Sequence, residues 1–237
     1  SCQSSQGFSV DGFVGPDDNI DSYTNKCVLV DGEGEDGIVT PIEGFIMSNM
    51  SIQNCGSECV RLKNFVKGAL ISNSIIKNCG IYDFQFDEGG KNGEGIYIGT
   101  SSNQWTYGED TCDFNILSGN IIETNANECV DIKEGSTGNV VEHNVCSKQL
   151  DVDSGCYDAR GNDNTFRYNV ASDCTGAGIR LGGWRVNGYT YGHSNNVYGN
   201  EIVDAEVGSL KITTESQGLI CGNTCEDGAC GIIGQAR

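Results

Sequence analysis

The chain has 237 residues, enough for one domain with a substantial core, and a formal net charge of −19. That charge argues against nucleic acid as a partner, because phosphate binding needs concentrated Lys and Arg. No apolar run approaches the roughly 18 residues that span a membrane. No signal peptide is visible, and the chain starts at Ser-Cys-Gln as a processed or trimmed chain would.

Residues 1–40 form an N-terminal cap or first coil, and residues 41–235 contain a repeat within the same single domain. Asparagine recurs in nearly the same local setting at Asn49, Asn73, Asn120, Asn144, Asn169, Asn200 and Asn223. The steps are 24, 47, 24, 25, 31 and 23 residues, and 47 is about two periods. Such a period indicates a solenoid, and short apolar runs separated by Gly, Asn and Asp indicate strands. The sequence therefore predicts a parallel β-helix of seven or eight coils in which the asparagines stack.

A second repeated strand follows several residues after each asparagine. Aligned on one another, these strands give two columns of apolar residues that point inward. The first inward column contains Val60, Ile96, Val130, Tyr157, Ile179 and Leu210. The second contains Leu62, Ile98, Ile132, Ala159, Leu181 and Ile212.

The alternate positions of the same strands face outward and carry charge. The first outward column is Arg61, Tyr97, Asp131, Asp158, Arg180 and Lys211. The second is Lys63, Gly99, Lys133, Arg160, Gly182 and Thr213. We call these two columns the charged strip. It collects six of the 14 Lys and Arg residues of an acidic chain onto one face.

Three loops interrupt the period, at 81–93, 100–111 and 183–195. The first is either irregular or an added strand pair. The other two directly follow strands of the charged strip and carry aromatic residues and one of the two histidines, namely Trp105, Tyr107, Trp184, Tyr189, Tyr191 and His193. Loops are where a solenoid places its binding residues. The other histidine, His143, lies beside a repeat asparagine and is interpreted as structural.

Thirteen cysteines without paired zinc-ribbon spacing favour a secreted, disulfide-bonded protein. Cys55 and Cys79 each stand six residues after a repeat asparagine, so a bond between adjacent coils is expected there. Cys129 and Cys156 also align and are either bonded or simply small inward-facing residues. The odd count leaves a free thiol or an intermolecular bridge. Asn49 begins the one glycosylation sequon, although its place in the repeat argues for stacking instead.

The charged strip suggests chemistry on an acidic sugar. Asp131 and Asp158, on adjacent coils, are candidate ligands for Ca²⁺. The candidate catalytic residues are Lys133, Arg160, Arg180 and Lys211. They would neutralise a sugar carboxylate, or remove the proton beside it if a lowered pKa made one of them a base. The candidate substrate-binding residues are Arg61, Tyr97, Trp105, Trp184, Tyr189, Tyr191 and His193.

Three strand sequences carry a family resemblance: Gly93–Gly99, Val130–Gly135 and Gly178–Gly183. With them, residues 40–235 resemble the pectate-lyase-like superfamily of right-handed parallel β-helices, which includes polysaccharide lyases and uronan epimerases. The resemblance implies a secreted lyase or epimerase that acts on an acidic polysaccharide by removing the proton at C5. Such enzymes often use acidic Ca²⁺ ligands with Arg or Lys as base, which the strip matches by residue type. The chain is shorter than many members and leaves only a short groove.

Several alternatives remain open at this stage. The strip is either functional or an ordinary solvated face of cross-strand charge pairs. A hydrolase could use Asp131, Asp158 and Asp153 as its carboxylates. The protein could instead be a non-catalytic structural or glycan-binding module that assembles end to end through its coil ends or an unpaired cysteine. An ice- or mineral-binding array would need flat Thr-rich columns, which the outward columns lack.

Overall fold

A computed structural model describes residues 8–34, 37–226 and 228–234 of the chain. The described chain winds into a parallel β-helix with three long sheets, and most coils give one strand to each sheet. None of its helices is long and apolar enough to cross a membrane.

Eight strands form the sheet that carries the charged strip, here called the front sheet. They are Val28–Asp31, Val60–Lys63, Ile96–Ile98, Val130–Ile132, Gly155–Ala159, Ala177–Leu181, Gly208–Ile212 and Ile232–Ile233. Every neighbouring pair in this sheet is parallel. Eight turns agree with the seven or eight coils predicted from the repeat.

The second sheet has nine strands and follows the third sheet in each coil. Its strands are Ser9–Asp11, Ser51–Gln53, Ile75–Lys77, Ile121–Ala126, Val145–Gln149, Val170–Cys174, Glu201–Ala205, Thr224–Cys225 and Gly228–Ala229. The third sheet has seven strands: Ile46–Ser48, Leu70–Ser72, Ile116–Ser118, Val140–Glu142, Thr165–Arg167, Asn196–Tyr198 and Ile220–Cys221. A small parallel pair joins Ile42–Glu43 to Val66–Lys67.

The three interrupting loops have structure of their own. Loop 81–93 contains a four-residue α-helix, Ile81–Phe84, rather than a strand pair. Loop 100–111 contains the short 3₁₀ helix Ser102–Gln104. Loop 183–195 is an antiparallel hairpin of Trp184–Val186 and Tyr189–Tyr191. A further 3₁₀ helix, Ile20–Ser22, lies near the start of the described chain.

The core lies inside the coils and is built from the predicted inward columns. All twelve of their members are at most 3% exposed, and Tyr157 and Phe166 are the largest fully buried side chains. The two-residue alternation of short strands therefore predicted the packing correctly.

The asparagine stack is real, but it is shorter than the repeat suggested. Its members are Asn120, Asn144, Asn169, Asn200 and Asn223. The side-chain amide of each of the first four donates to the side-chain oxygen of the asparagine on the next coil, at 2.9–3.1 Å. Asn49 and Asn73 lie one residue earlier, in exposed turns with positive φ, so their expected place in the stack is wrong. Ser74 takes the stacked position, and its backbone N–H donates to Asn120.

A second stack, absent from the sequence reasoning, runs five residues ahead of the first. Asn115, Asn139 and Asn164 connect through amide or backbone donors at 2.9–3.0 Å, and Asn195 extends the series. Both stacks satisfy backbone groups at the tight corners on either side of the third sheet.

Five disulfides link the described cysteines, and they do not pair equivalent positions. The bonds are Cys27–Cys55, Cys59–Cys79, Cys129–Cys146, Cys156–Cys174 and Cys225–Cys230. The expected Cys55–Cys79 bond is therefore wrong.

The first four of these bonds cross the interior. Cys129 and Cys156 do align on adjacent coils, but each bonds a cysteine of the second sheet one coil further on. Cys112 is a buried free thiol and Cys221 an exposed one, whereas Cys2 lies outside the described residues.

Candidate functional site

The first outward column of the charged strip is in register from end to end. Its consecutive members face one another as backbone partners on adjacent strands, in the order Arg61, Tyr97, Asp131, Asp158, Arg180 and Lys211. Lys133 and Arg160 of the second column stand two residues beyond Asp131 and Asp158, directly after the strands that carry those aspartates. The predicted geometry of the strip is therefore confirmed.

Most of the strip is buried, which its outward direction did not predict. Asp131 and Asp158 are at most 1% exposed, and Arg61, Tyr97 and Lys133 are 6–7% exposed. Buried charges are costly unless they are paired and hydrogen-bonded. The interpretation of the strip as a solvated face is therefore wrong over these coils.

Ion pairs occupy the centre of the strip. Lys133 pairs with Oδ2 of Asp131, and Arg180 pairs with Oδ2 of Asp158. Ser154 also donates to Asp158 Oδ2 at 2.8 Å. Burial opposes the charged form of Asp158, but nearby arginines and Lys133 outweigh it and lower its pKa.

The pKa of Lys133 moves in the opposite direction from the one expected for a base. Burial favours the neutral amine, yet the negative charge of Asp131 outweighs burial and raises the pKa of Lys133. The pKa values of Arg160 and Arg180 are raised as well, the latter chiefly by Asp158. All three side chains are therefore positively charged.

Tyr97 lies between cations from the neighbouring coils. The Arg61 guanidinium carbon stands 3.7 Å from the centre of the Tyr97 ring, and Lys133 Nζ stands 4.6 Å from it. Burial raises the pKa of the Tyr97 phenol. The phenol therefore keeps its proton well into the alkaline range.

Three glutamates at the start of front-sheet strands border the strip, and the sequence reasoning did not assign them a role. Glu58, Glu94 and Glu128 occupy equivalent positions, each two residues before its strand begins. Glu58 is bound by Arg61 and, at 3.1 Å, by Lys26. Their common place at the head of aligned strands was a signal that could have identified them.

Glu94 and Glu128 form a carboxyl cluster with Asp131. Ligand oxygens of the three side chains lie within 4.8 Å of one another. Burial raises the pKa of Glu94 to about 7 and that of Glu128 well above its usual range. Within the described part of the chain, nothing hydrogen-bonds Oδ1 of Asp131, which is fully buried.

The buried charges around the strip do not balance. Of the eight carboxyl residues buried in the described chain, six are Glu58, Glu94, Glu128, Asp131, Glu134 and Asp158 of the strip and its border. Five cations lie beside them, namely Arg61, Lys133, Arg160 and Arg180 of the strip and Lys26, which pairs with Glu58. Among the described residues, Glu94 and Glu128 have no ion pair. The cluster therefore either holds protons or attracts a cation.

Asp158 is not a member of this carboxyl cluster, although it is the backbone partner of Asp131 and the Ser154 hydroxyl contacts both Glu128 and Asp158. The three carboxyl groups with oxygens close enough to share an ion are Glu94, Glu128 and Asp131. The prediction that Asp131 and Asp158 hold a metal stays a prediction.

The two aromatic loops meet and form one wall beside the strip. Trp184 donates from its indole to Ser102 at 2.8 Å, and Trp105 packs edge-on against Tyr191 with ring centres 6.2 Å apart. The Arg160 guanidinium lies 4.9 Å from the Trp184 ring.

The predicted sugar-binding aromatics have different surroundings in this wall. Trp184 and Tyr189 are partly exposed, whereas Tyr191 is 7% exposed and donates to Glu109. His193 hydrogen-bonds the Tyr189 hydroxyl at 2.7 Å and has no described contact with the strip.

Lys211, the last member of the first column, is separated from the carboxyl cluster. Its Nζ donates to the backbone oxygen of Asp153 at 2.9 Å. His143 stacks on Tyr168 in a turn on the far side of the coil, with ring centres 5.3 Å apart, which agrees with a structural role.

No protein-family model and no curated protein sequence matches the chain. Among solved structures, the chain is similar to an alginate lyase from Paenibacillus sp. str. FPU-7, with a TM-score of 0.64 and 20% identity over 95% of this chain and 73% of that one. It is also similar to a DFA-IIIase from Arthrobacter chlorophenolicus A6, with a TM-score of 0.56 and 13% identity over 90% of this chain.

A third similar structure is the GH136 lacto-N-biosidase from Eubacterium ramulus, with a TM-score of 0.53 and 16% identity over 76% of this chain. The chain spans 46% of the DFA-IIIase and 28% of the lacto-N-biosidase. At these identities the likeness establishes a shared parallel β-helix fold.

Proposed function

We propose that this protein is a secreted lyase that cleaves an acidic, uronic-acid-containing polysaccharide by β-elimination. The observation that carries the proposal is the buried arrangement in which the Lys133 ammonium and the Arg61 guanidinium both lie over the Tyr97 ring. The fold shared with an alginate lyase supports it. Five disulfides favour an oxidising, extracellular compartment.

Binding begins with the sugar carboxylate. Arg160 and Arg180 stand on adjacent coils, and the Nε of each is buried with no hydrogen-bond partner among the described residues. These donors are suited to a carboxylate oxygen, and the two positive charges stabilise the negative charge that builds up on it after proton removal. Trp184, over Arg160, offers a flat surface for the sugar ring.

Lys133 and Tyr97 supply the two proton transfers. The neutral Lys133 amine takes the proton from C5, the electron pair forms the C4–C5 double bond, and the C4–O bond breaks. Tyr97, whose raised pKa keeps its proton in place, donates to the departing oxygen. The Lys133 ammonium then loses its proton to solvent and the Tyr97 phenolate takes one from solvent, which restores both groups.

Calcium fits the carboxyl cluster, where Glu94, Glu128 and Asp131 supply hard oxygen ligands and Asp131 keeps an unpartnered oxygen. When bound there, the ion would offset the charge of Asp131 that keeps Lys133 protonated.

The test is incubation with a panel of uronans, with and without Ca²⁺, followed by near-ultraviolet absorbance of unsaturated products. Lys133→Ala and Tyr97→Phe are expected to lower kcat by at least about 100-fold, the usual contribution of a general acid or base. Lys148→Ala, in an exposed pair with Glu123, is the matched control. Absence of unsaturated product on every uronan would overturn the proposal.

Glycoside hydrolysis is a second candidate, favoured by one observation. Burial gives Glu94 a pKa of about 7, suited to a general acid, beside the carboxyl of Asp131. The same assay distinguishes the two reactions, because hydrolysis releases reducing ends without a double bond.

A further inference from the structure

An open cavity of about 520 Å³ lies at the first-coil end of the charged strip. Its lining includes Leu29, the front-sheet partner of Arg61 one coil earlier. Residues 24–26 and Gln104 of the first aromatic loop also line it. The cavity therefore continues the line of the outward column past Arg61.

We propose that this cavity is a distal subsite that binds a uronate unit of the polysaccharide chain, away from the reacting centre. Lys26, Arg61 and Lys63 line it, against one carboxylate, Asp31. Leu29 is 50% exposed and provides an apolar surface beneath these charges. A sugar acid needs both features, a cationic contact for its carboxylate and an apolar surface for its ring.

The positive charge at the cavity lies on the side of Lys26 and Arg61. These two cations share a single carboxylate, Glu58, which is 1% exposed. Among the described residues, nothing hydrogen-bonds the Nε of Arg61. Lys63, by contrast, is paired with both Asp31 at 3.4 Å and Glu33 at 3.9 Å. Over the whole cavity the three cations and three carboxylates balance, so the local excess of positive charge is confined to the side of Lys26 and Arg61.

The cavity and the reacting centre are separated along the coil axis. Arg61 and Lys133 stand two strands apart, which corresponds to about 10 Å along the axis. Leu29, which lines the cavity, stands one strand further, about 14 Å from Lys133 along the axis. An oligosaccharide with one unit at Lys133 reaches the cavity only if it spans that distance, which favours long chains over short ones. The proposal rests on the proposed substrate class and adds to it a preference for longer chains.

The experiment is calorimetric binding of uronate trimers and hexamers to a Lys133→Ala protein, with and without Lys26→Ala. We expect Lys26→Ala to weaken hexamer binding about 10-fold, or about 1.4 kcal/mol, and to leave trimer binding unchanged. Lys148→Ala, on the second sheet, is the charge-matched control.

Leu29→Asp is a second variant that removes no ion pair and adds a repelling charge, so it tests the cavity even if Lys26→Ala fails to fold. It should weaken hexamer binding as Lys26→Ala does. Equal hexamer affinity in the Leu29→Asp protein, or an equal loss for trimers and hexamers, would overturn the subsite. Hexamer binding that depends on Lys26, with no unsaturated product from the wild type, would preserve the subsite and reject the lyase.

Discussion

Asp131, in the strand Val130–Ile132, and Lys133, directly after it, form an ion pair on the outer face of the front sheet, with neither side chain more than 7% exposed. Asp131 is the main reason that the pKa of Lys133 is raised, because burial alone would lower it. The protonation of the proposed base therefore depends on one identifiable carboxylate.

The pH profile of lyase activity follows from this pair. A raised pKa means that the neutral amine is scarce at neutral pH, so kcat/KM should increase with pH into the alkaline range. Asp131→Asn removes the charge that holds the proton and should shift the profile by about one to three units toward lower pH. Glu142→Gln, whose partner Arg167 lies on the third sheet, should leave it unchanged. An unshifted Asp131→Asn profile would reject Lys133 as the group that limits the rate.

Glu94 should make the protein less stable as pH rises. Its pKa is raised from 4.5 to about 7, so the folded state binds the proton more tightly than the unfolded state does. That stabilisation is complete below pH 4.5 and is lost as pH rises through about 7. Glu94→Gln cannot ionise, so its free energy of unfolding should exceed that of the wild type at pH 8 and lose this advantage at pH 4.5. Urea unfolding at the two pH values measures this, and a constant difference would contradict it.

Calcium should restore part of the stability that the protein loses when Glu94 ionises at high pH. An ion at Glu94, Glu128 and Asp131 binds the folded state alone, so it should raise the melting temperature at pH 8. Glu128→Gln should reduce the shift, whereas Glu142→Gln should not. If Ca²⁺ raises the melting temperature of the Glu128→Gln protein as much as that of the wild type, the ion does not occupy this cluster.

The asparagine stack should contribute strongly to stability. The Asn144 side chain accepts from the backbone and amide of Asn120 and donates to Leu117 and Asn169, all at 2.9–3.1 Å. Asn144→Ala leaves buried polar groups without partners, so it should lower the free energy of unfolding by at least about 2 kcal/mol. Denaturant titration provides the measurement.

Asn73 provides the matched control for that substitution. It sits in an exposed turn with positive φ, one residue before the stacked position, and Gly119 is its equivalent on the next coil. Asn73→Gly should change the free energy of unfolding little. If Asn73→Gly lowers the free energy of unfolding as much as Asn144→Ala does, the stacked position is not the source of the stabilisation.

The disulfides that cross the interior should stabilise the folded state more than the Cys225–Cys230 disulfide does. Cys129–Cys146 spans 17 residues and Cys225–Cys230 only 5. Replacing Cys129 and Cys146 by Ser should lower the free energy of unfolding by about 3 kcal/mol, and the shorter loop should cost less. Urea titration of the two double-serine proteins compares them, and an equal loss would contradict a loop-length effect.

The fold and the register of the strip could be predicted because both depend on local alternation. Val130 and Ile132 point inward, so Asp131 must point outward, and parallel pairing repeats this on each coil. The apolar columns and the charged columns follow from the same rule. The off-by-one placement of Asn49 and Asn73 arose because two neighbouring corner positions both accept asparagine.

Contacts between different coils and sheets could not be predicted in this way. Burial of Asp131 and the meeting of Trp184 with Ser102 depend on how the loops fold over the sheet. The partner of Cys129 is Cys146, on another sheet, because the interior places the two side chains together there. Glu94 and Glu128 were visible at aligned positions, but only their burial distinguishes them from surface carboxylates.

The asparagine stack spans an insertion without changing. From Asn169 to Asn200 the chain takes 31 residues instead of the usual 24 or 25, because a hairpin is inserted. The hydrogen bond from the Asn169 side-chain amide to the Asn200 side-chain oxygen is still 3.0 Å long. The corner hydrogen bonds thus make coil geometry independent of loop length. New loops should therefore be graftable onto this protein at the end of each front-sheet strand, which would let the walls of the groove be redesigned while its floor stays unaltered.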